Sequence, residues 1–361
     1  MFPILNAERI HKAQGAKVDE LGVRARDRTT LEIRLERPTA YFLELLTNQT
    51  ALPVHAGAIA RHGQEWTKPG NLVSNGAYVL KSFVPNDSIV MVRNARYHAA
   101  GSVAIEEVRY VSSSDATVAT RRFIAGELHL TTDVPTDQFA LLKARLGSQV
   151  QVAPYLGTNF LILNMRKKPF DDVRVRRALS LAIDREFLAE QIWSGTMLPA
   201  YGMVPPGVAS YPRRAELDFA EQPPYEREEE ARALLDEAGF GKGRPLRVEL
   251  RYNMTDNNQR TMVAIASQWK AIGVETRFVH TDGKTHFAHL RDGGDFDVAR
   301  AGWIADYSDP QNFLFLMQSD NPGFNYPKYA NPEFDGLMRK AADEIDLKKR
   351  AEILFAADSI M

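Results

Sequence analysis

Hydrophobic and polar positions in the second half of the chain follow two periods in turn, one typical of strands and one typical of helices. The strand-like runs are residues 246–252, 274–279 and 296–301, and the runs with helical spacing are residues 258–271 and 285–291. Such an alternation is typical of an α/β sheet whose strands are joined by crossover helices. Ligands of these sheets bind beyond the carboxyl ends of the strands, which places the expected site just after Ala301.

The rest of the chain adds shorter elements. Alternation predicts a strand over residues 30–36, and Pro85-Asn86-Asp87 predicts a turn between the strands 78–84 and 88–93. Helical spacing predicts a helix over residues 114–127. A second helix is expected after Asp171 or Asp172, either of which can cap it.

Composition narrows the function classes. The chain has 361 residues, which favours two or more domains, and its 44% hydrophobic and 25% charged residues are ordinary for a globular protein. A net charge of -1 argues against a nucleic-acid partner. The absence of cysteine excludes disulfides, thiolate zinc sites and cysteine nucleophiles. No apolar run is long enough for membrane insertion, and residues 1–20 lack the pattern of a signal peptide.

Residues 300–310 hold the most distinctive chemistry in the chain. We expect this segment to leave the last strand as a loop that presents Trp303 and Asp306. A carboxylate beside a flat apolar ring can hold a cationic group such as a peptide's α-ammonium, because charge-assisted hydrogen bonds are about twice as strong as neutral ones. The same residues also fit a plain loop, in which Trp303 belongs to the core and Asp306 is a turn residue.

Six segments, spread over most of the chain, resemble one known family in the order of their occurrence. They are residues 72–78, 94–97, 125–128, 170–179, 233–240 and 296–303. Through these segments the chain is similar to the oligopeptide-binding proteins of ABC importers, which are extracellular solute-binding proteins of family 5.

This resemblance implies both a fold and a set of ligand-binding residues. The implied fold is a bilobal α/β fold like that of periplasmic binding proteins, with one lobe nearly complete and the other incomplete. Asp306 would pair with the peptide's N-terminal ammonium, and Trp303 and Ile304 would border the first side-chain pocket. Arg291 and Arg300 would meet peptide carboxylates. The position of a family histidine with the same task is occupied by Asn258.

The resemblance also predicts how the chain divides. Residues 1–55 would be a remnant of an extra peptide-contacting domain, residues 56–156 a part of the transporter-facing lobe, and residues 157–361 a nearly whole second lobe. Members of the family extend further at both ends, so we expect the chain to be truncated relative to them.

The function implied by the resemblance is capture, without catalysis or a cofactor. The expected partners are an oligopeptide and the membrane permease of an ABC transporter, and the expected location is the periplasm or cell envelope. Murein peptides, dipeptides and nickel are alternative ligands within this class. A fragment that no longer binds is a further alternative.

A metal-dependent enzyme is the main rival to a binding protein. His286 and His289 are three residues apart, so they share a helix face, and His280 and Asp282 lie close in sequence. The His-Glu-x-x-His pattern of zinc hydrolases is absent, and loose histidine clusters are common by chance. We therefore expect solvated helix histidines and no metal site.

Overall fold

The computed structural model of the protein describes residues 3–113 and 115–361. Within these ranges the chain forms two compact units. The larger unit contains the described residues up to Thr50 together with Phe139–Met361, and the smaller one is Ala51–Gln138. The predicted boundaries after residues 55 and 156 refer to the domains of a longer protein, and they stay a prediction.

Strands and helices alternate strictly from β7 to α11, and elsewhere elements of one kind follow each other. The strands are β1 (Val23–Ala25), β2 (Leu31–Ile33), β3 (Tyr78–Val84), β4 (Ser88–Arg93), β5 (Glu107–Val111), β6 (Gly157–Leu163), β7 (Leu246–Asn253), β8 (Val274–Thr281) and β9 (Val298–Ile304). The α-helices are α1 (Ala7–His11), α2 (Phe42–Leu45), α3 (Ala56–His62), α4 (Ala116–Ile124), α5 (Phe139–Leu146), α6 (Val173–Leu181), α7 (Arg185–Phe187), α8 (Pro224–Glu237), α9 (Asp256–Ala271), α10 (Gly283–Arg291), α11 (Gln311–Leu314), α12 (Pro332–Asp343) and α13 (Leu347–Ile360). None of these described helices is long and apolar enough to cross a bilayer.

The smaller unit contains the antiparallel sheet β3-β4-β5. The two strands predicted around the Pro85-Asn86-Asp87 turn are confirmed, and Asn86 takes the left-handed conformation that such a tight turn requires. The predicted helix 114–127 is α4, although Ser114 lies outside the described residues. The α4 helix begins where the Asp115 carboxylate accepts hydrogen bonds from two backbone N–H groups.

The larger unit is built around a four-stranded sheet in the order β6-β9-β7-β8. β7 runs parallel to both β8 and β9, whereas β6 is antiparallel to β9. α9 connects β7 to β8, and α10 connects β8 to β9. The predicted order of strands and crossover helices is therefore confirmed. Of the two predicted caps, Asp171 and Asp172, it is Asp172 that caps α6.

The last strand is longer than the sequence predicts. β9 ends at Ile304 and not at Ala301, because its pairing with β6 continues as far as the pair Gly157–Ile304. Trp303 and Ile304 thus belong to the strand and not to the loop after it. On its other side β9 pairs with β7 only at Val298 and Ala299.

Each face of this sheet is covered by a different set of helices. One face packs Val298, Leu250 and Tyr252 into a core with α6, α8 and α9. The indole N–H of Trp269 in that core donates to the Leu179 carbonyl at 2.9 Å and joins α9 to α6. The opposite face packs a smaller core that includes Ala299 and residues of α10. The two central strands, β7 and β9, hold most of the buried positions because both of their faces are covered.

Asp358 on α13 is a buried acid in the larger unit. Its carboxylate accepts hydrogen bonds from the Tyr211 hydroxyl at 3.0 Å and from the Ala215 N–H at 3.4 Å. Burial raises the pKa of this carboxyl to about 6, and the hydrogen bonds oppose the rise only in part. The folded state therefore binds this proton more tightly than the unfolded chain does. Stability should fall as the pH rises from about 4 to about 6.

Replacing Asp358 by asparagine should stabilise the protein at neutral pH. The Asp358→Asn side chain keeps an oxygen that can accept both hydrogen bonds, but it carries no buried charge. We expect the free energy of unfolding to rise by about 1–3 kcal/mol near pH 7.5 and to change little below about pH 4. Urea unfolding at the two pH values measures both effects, and an equal change at both would contradict the assignment.

Candidate functional site

β7 and β9 stop pairing before either strand ends, and we call the space beyond their last pair the crevice. The two strands are neighbours, yet their pairing stops at Arg251–Ala299, while β6 accompanies β9 to Ile304. The chain moves from β7 to β8 on one side and then crosses back to form β9 on the other side of β7. The direction of the connections across the sheet therefore reverses at β7. Parallel sheets bind ligands at such a reversal, beyond the carboxyl ends of the strands.

Arg300 is the charged residue at this crevice. One of its terminal nitrogens donates to the Asn253 side-chain oxygen at 3.1 Å, and the other donates to the side-chain oxygen of Asn159. Burial lowers the pKa of the guanidinium. Within residues 3–113 and 115–361 no carboxylate forms an ion pair with Arg300. A desolvated cation held only by amide oxygens is suited to an anionic ligand group.

Asn258 supports this arrangement from the start of α9. Its side-chain N–H group donates to the Asn253 carbonyl at 2.9 Å, and its backbone N–H donates to the Thr255 hydroxyl at 3.1 Å. Asn258 is buried. Asn253 therefore contacts both residues, since its carbonyl accepts from Asn258 and its side-chain oxygen accepts from Arg300. Asn258 supports Asn253 and does not itself contact Arg300 through this bond. A direct role of Asn258 in ligand binding stays a prediction.

Trp303 and Ile304 point to opposite faces of β9, because successive strand residues alternate. The Trp303 ring packs edge-on against Phe315 and Phe324, with centroids 5.5 and 5.2 Å away. Its indole N–H donates to the Asn312 side-chain oxygen at 2.7 Å. Ile304 is 54% exposed. The two residues can therefore line one ligand pocket only from different sides of the strand.

Asp306 lies exposed in the loop just after β9. Its backbone N–H donates to the same Asn312 oxygen at 3.3 Å. Its carboxylate has neither a hydrogen bond nor an ion pair with any of the described residues. Trp303 is packed among other rings, as the plain-loop interpretation expects, and a role of Asp306 in ligand binding stays a prediction.

A buried ion pair fixes the segment that carries Asn312. The Arg350 guanidinium on α13 donates to the two carboxylate oxygens of Asp309 at 2.6 and 2.9 Å, and both side chains are buried. The Asp309 carboxylate also accepts from the Gln311 N–H at 2.9 Å, and the Asp309 carbonyl accepts from the Asn312 N–H at 3.0 Å. Arg350 thus anchors Asn312, which in turn holds the Trp303 ring and the Asp306 backbone.

Two tyrosines cover this ion pair. Tyr41 stacks on Tyr307 with ring centroids 5.5 Å apart and nearly parallel planes. The Arg350 guanidinium lies over the Tyr41 ring at 4.8 Å from its centroid. Burial raises the pKa of both hydroxyls, so both tyrosines are neutral. The loop that carries Asp306 is therefore supported by a residue from the first 50 of the chain.

Arg291 lies apart from Asp306. It is the exposed last residue of α10, and this helix runs back along β9. His289 contacts the Asp295 carbonyl at 2.8 Å, which places the end of α10 near the start of β9, whereas Asp306 follows the other end. The structure does not bring Arg291 together with Asp306. Its predicted contact with a peptide carboxylate is not tested by this geometry.

The expectation of solvated helix histidines is wrong for His286, which is completely buried because it packs under β9 and contacts a strand carbonyl. The Nε2 atoms of His286 and His289 contact the carbonyls of Arg300 and Asp295, each at 2.8 Å. In the part of the chain that the structure describes, no group of three or more histidine, aspartate or glutamate side chains is placed to hold a metal ion.

A cavity of about 630 Å³ lies elsewhere in the larger unit, among α6, α8 and α9. Its lining includes Phe187, Val263 and Arg227, but none of the crevice residues described above. Position relative to the strand ends is the better guide to a site in this fold, so we assign the site to the crevice.

Several supporting residues are missed by reasoning from the sequence. Asn159 is a polar residue inside β6, and Asn253 is the polar last residue of β7. Asn312 follows the distinctive segment 300–310 by two residues, whereas Arg350 lies on a helix without a recognisable motif. Their roles depend on tertiary contacts that no local pattern encodes.

Comparison with known proteins assigns the chain to a family. Residues 3–325 match the bacterial extracellular solute-binding proteins, family 5. The chain belongs to this family.

Two solved structures of family 5 relatives have the same fold. The murein tripeptide-binding protein MppA of Escherichia coli superposes with a TM-score of 0.87 at 35% identity, over 99% of this chain and 70% of its own. OppA of Haemophilus influenzae, in complex with the peptide RPPGFSPFR, superposes with a TM-score of 0.85 at 32% identity, over 99% and 70%. The predicted α/β fold of periplasmic binding proteins, with an incomplete lobe, is therefore confirmed.

Curated family 5 relatives include proteins named for different ligands. The periplasmic oligopeptide-binding protein OppA of Salmonella typhimurium is 38% identical over 341 residues, which are 94% of this chain and 62% of the relative. The probable deoxycholate-binding periplasmic protein YgiS of Escherichia coli is 35% identical over 347 residues, 96% of this chain and 64% of the relative. The chain thus spans less than two thirds of the length of these relatives.

The role of Asn312 can be tested by removing its side-chain oxygen. Asn312→Leu should lower the free energy of unfolding by about 1–3 kcal/mol, because the indole N–H of Trp303 and the Asp306 N–H lose their acceptor. Urea unfolding followed by tryptophan fluorescence measures the loss. A change below about 0.5 kcal/mol would mean that Asn312 does not hold the two residues.

Proposed function

We propose that this protein captures oligopeptides as the solute-binding component of a peptide ABC importer. The observation that carries the proposal is the pair of unmatched charges beside the crevice. The Asp306 carboxylate has no partner among the described residues, and Arg300 has no carboxylate partner there. A peptide with a free ammonium and a free carboxylate can supply both missing partners.

The spacing of the two charges sets a length for the ligand. Asp306 and Arg300 are six positions apart, so their α carbons are at most about 20 Å apart. An extended peptide advances about 3.3 Å per residue. The main-chain spacing alone therefore corresponds to an extended peptide of about six residues or fewer.

The free edge of β9 gives such a peptide a backbone partner. Beyond Ala299 this edge is no longer paired with β7, while β6 keeps the other edge of β9 in place. An extended peptide can add to an unpaired strand edge through main-chain hydrogen bonds. Recognition of the main chain and the charged ends gives affinity with little dependence on the peptide's sequence.

The remaining parts of the proposal follow from family membership. We infer that the protein binds without catalysing a reaction, works in the periplasm or cell envelope and delivers its ligand to a membrane permease. Residues 157–361 would be the second lobe, residues 56–156 part of the transporter-facing lobe, and residues 1–55 part of the extra domain. Arg291 would bind the carboxylates of ligands that differ in length.

Two other ligands have support among the relatives. A murein peptide is favoured by the similarity to the murein tripeptide-binding protein. A bile acid is favoured by the probable deoxycholate-binding relative. A bile acid carries a carboxylate but no ammonium, so it would use Arg300 and leave Asp306 without a partner. Dependence of binding on Asp306 therefore separates peptides from bile acids.

The role of Asp306 is tested by removing its charge. Asp306→Asn should weaken the binding of tri-alanine at least about tenfold, because the ammonium then loses a charge-assisted hydrogen bond. Titration calorimetry on the full chain measures the affinity. Asp320→Asn is the matched control, since Asp320 is also exposed in the larger unit and lies outside the crevice.

N-acetylated tri-alanine completes this test. Because it lacks the ammonium, it should bind weakly to the wild type and lose no further affinity in Asp306→Asn. Equal affinity of wild type and Asp306→Asn for free tri-alanine would contradict the proposal. Binding of deoxycholate without peptide binding would replace it with the bile-acid alternative.

The role of Arg300 is tested by a series of peptide lengths. Arg300→Gln should weaken the binding of alanine peptides of up to about six residues, because their carboxylates reach the crevice. Longer peptides should lose less. Calorimetry with tri-, penta- and octa-alanine measures the series, and equal losses for all three lengths would contradict the proposed spacing.

A further inference from the structure

His286 connects α10 to the crevice through one hydrogen bond to the main chain of β9. The residue is completely buried, and its Nε2 lies 2.8 Å from the carbonyl oxygen of Arg300. Because a carbonyl only accepts hydrogen bonds, Nε2 carries the proton and donates it. The imidazole therefore holds the main chain of the residue whose guanidinium lies in the crevice.

The strand register explains why Arg300 takes this donor. The ladder between β7 and β9 ends at the pair Arg251–Ala299, so Arg300 is the first residue of β9 beyond it. A buried carbonyl without a hydrogen bond is costly. His286 supplies a donor from a helix at the point where β9 leaves its neighbour.

The other ring nitrogen, Nδ1, bears on the protonation state of the imidazole. Nδ1 is buried and has no hydrogen-bond partner among the described residues. The charged and titratable groups that act on the ring are Arg251 on β7, Arg300 on β9 and His289 on α10. Burial, together with these groups, lowers the pKa of His286, so the ring is neutral with its proton on Nε2.

We propose that His286 is a positioning residue for the recognition of the ligand's carboxylate. By fixing the carbonyl of Arg300, it sets where the side chain of Arg300 leaves β9 and keeps the guanidinium between Asn159 and Asn253. This inference rests on the proposed function, and it adds to that function a residue that does not itself touch the ligand.

The chain offers a matched control on the same helix. His289 lies one turn further along α10, and its Nε2 contacts the Asp295 carbonyl at the same distance of 2.8 Å. Asp295 precedes β9 and lies away from the crevice. His286→Leu and His289→Leu thus each remove one imidazole–carbonyl contact, and only the first affects Arg300.

The test compares tri-alanine with tri-alanine amide on the full chain. His286→Leu should weaken the binding of tri-alanine about tenfold, the effect of one hydrogen bond, and should leave the affinity for the amide within about twofold. His286→Gln should restore most of the loss, because its side-chain amide can donate to the same carbonyl. His289→Leu should bind both peptides as the wild type does.

A second measurement needs no ligand. The Nε–H signal of Arg300 in a proton–nitrogen NMR spectrum reports the surroundings of the guanidinium. It should move in His286→Leu, return toward its original position in His286→Gln and stay unchanged in His289→Leu. A merely structural loss of stability would not give this pattern.

The outcomes separate this inference from the proposed function. An unchanged Arg300 signal in His286→Leu overturns the positioning role, and so does an equal loss of affinity for tri-alanine and its amide. If the wild type binds neither peptide, the proposed function fails. In that case the Arg300 signal alone supports or overturns the positioning of the guanidinium.

Discussion

The early separation of β9 from β7 is the constraint on which the site depends. β6 holds one edge of β9 as far as Ile304, whereas β7 leaves the other edge after Ala299. This asymmetry gives the strand a fixed position and a free edge at the same time. It also opens the space in which Arg300 meets only amide oxygens, and it leaves the Arg300 carbonyl to a helix donor. Without the separation, this edge would be filled by ordinary sheet pairing.

The loop after β9 is held by a series of contacts that begins far away in the sequence. Arg350 pairs with Asp309, Asp309 binds the start of α11, and Asn312 on α11 holds the Trp303 ring and the Asp306 backbone. A buried ion pair of this kind adds little net stability, but losing one partner leaves an unpaired buried charge. Its value here is geometric, because it fixes the loop on which Asp306 is the exposed residue.

Much of this architecture is predictable from the sequence, and the exceptions have physical causes. The hairpin β3–β4 and the crossover units around α9 and α10 follow from period and turn chemistry, which act locally. The sequence predicts an end of β9 at Ala301, because Gly302 interrupts the apolar run and only the partner strand β6 defines the ladder as far as Ile304. Asp306 and Arg300 are predictable through motif resemblance. Asn312, Arg350 and His286 act through tertiary contacts, which periodicity cannot reveal.

In the proposed complex, one extended ligand joins the free edge of β9 to both unmatched charges. A crystal structure of this chain grown with tri-alanine would show this arrangement. We expect a peptide paired with the main chain of β9 beyond Ala299, with its ammonium within hydrogen-bond distance of the Asp306 carboxylate and its carboxylate facing Arg300. A peptide bound instead in the cavity among α6, α8 and α9, with the Asp306 carboxylate left in solvent, would contradict it.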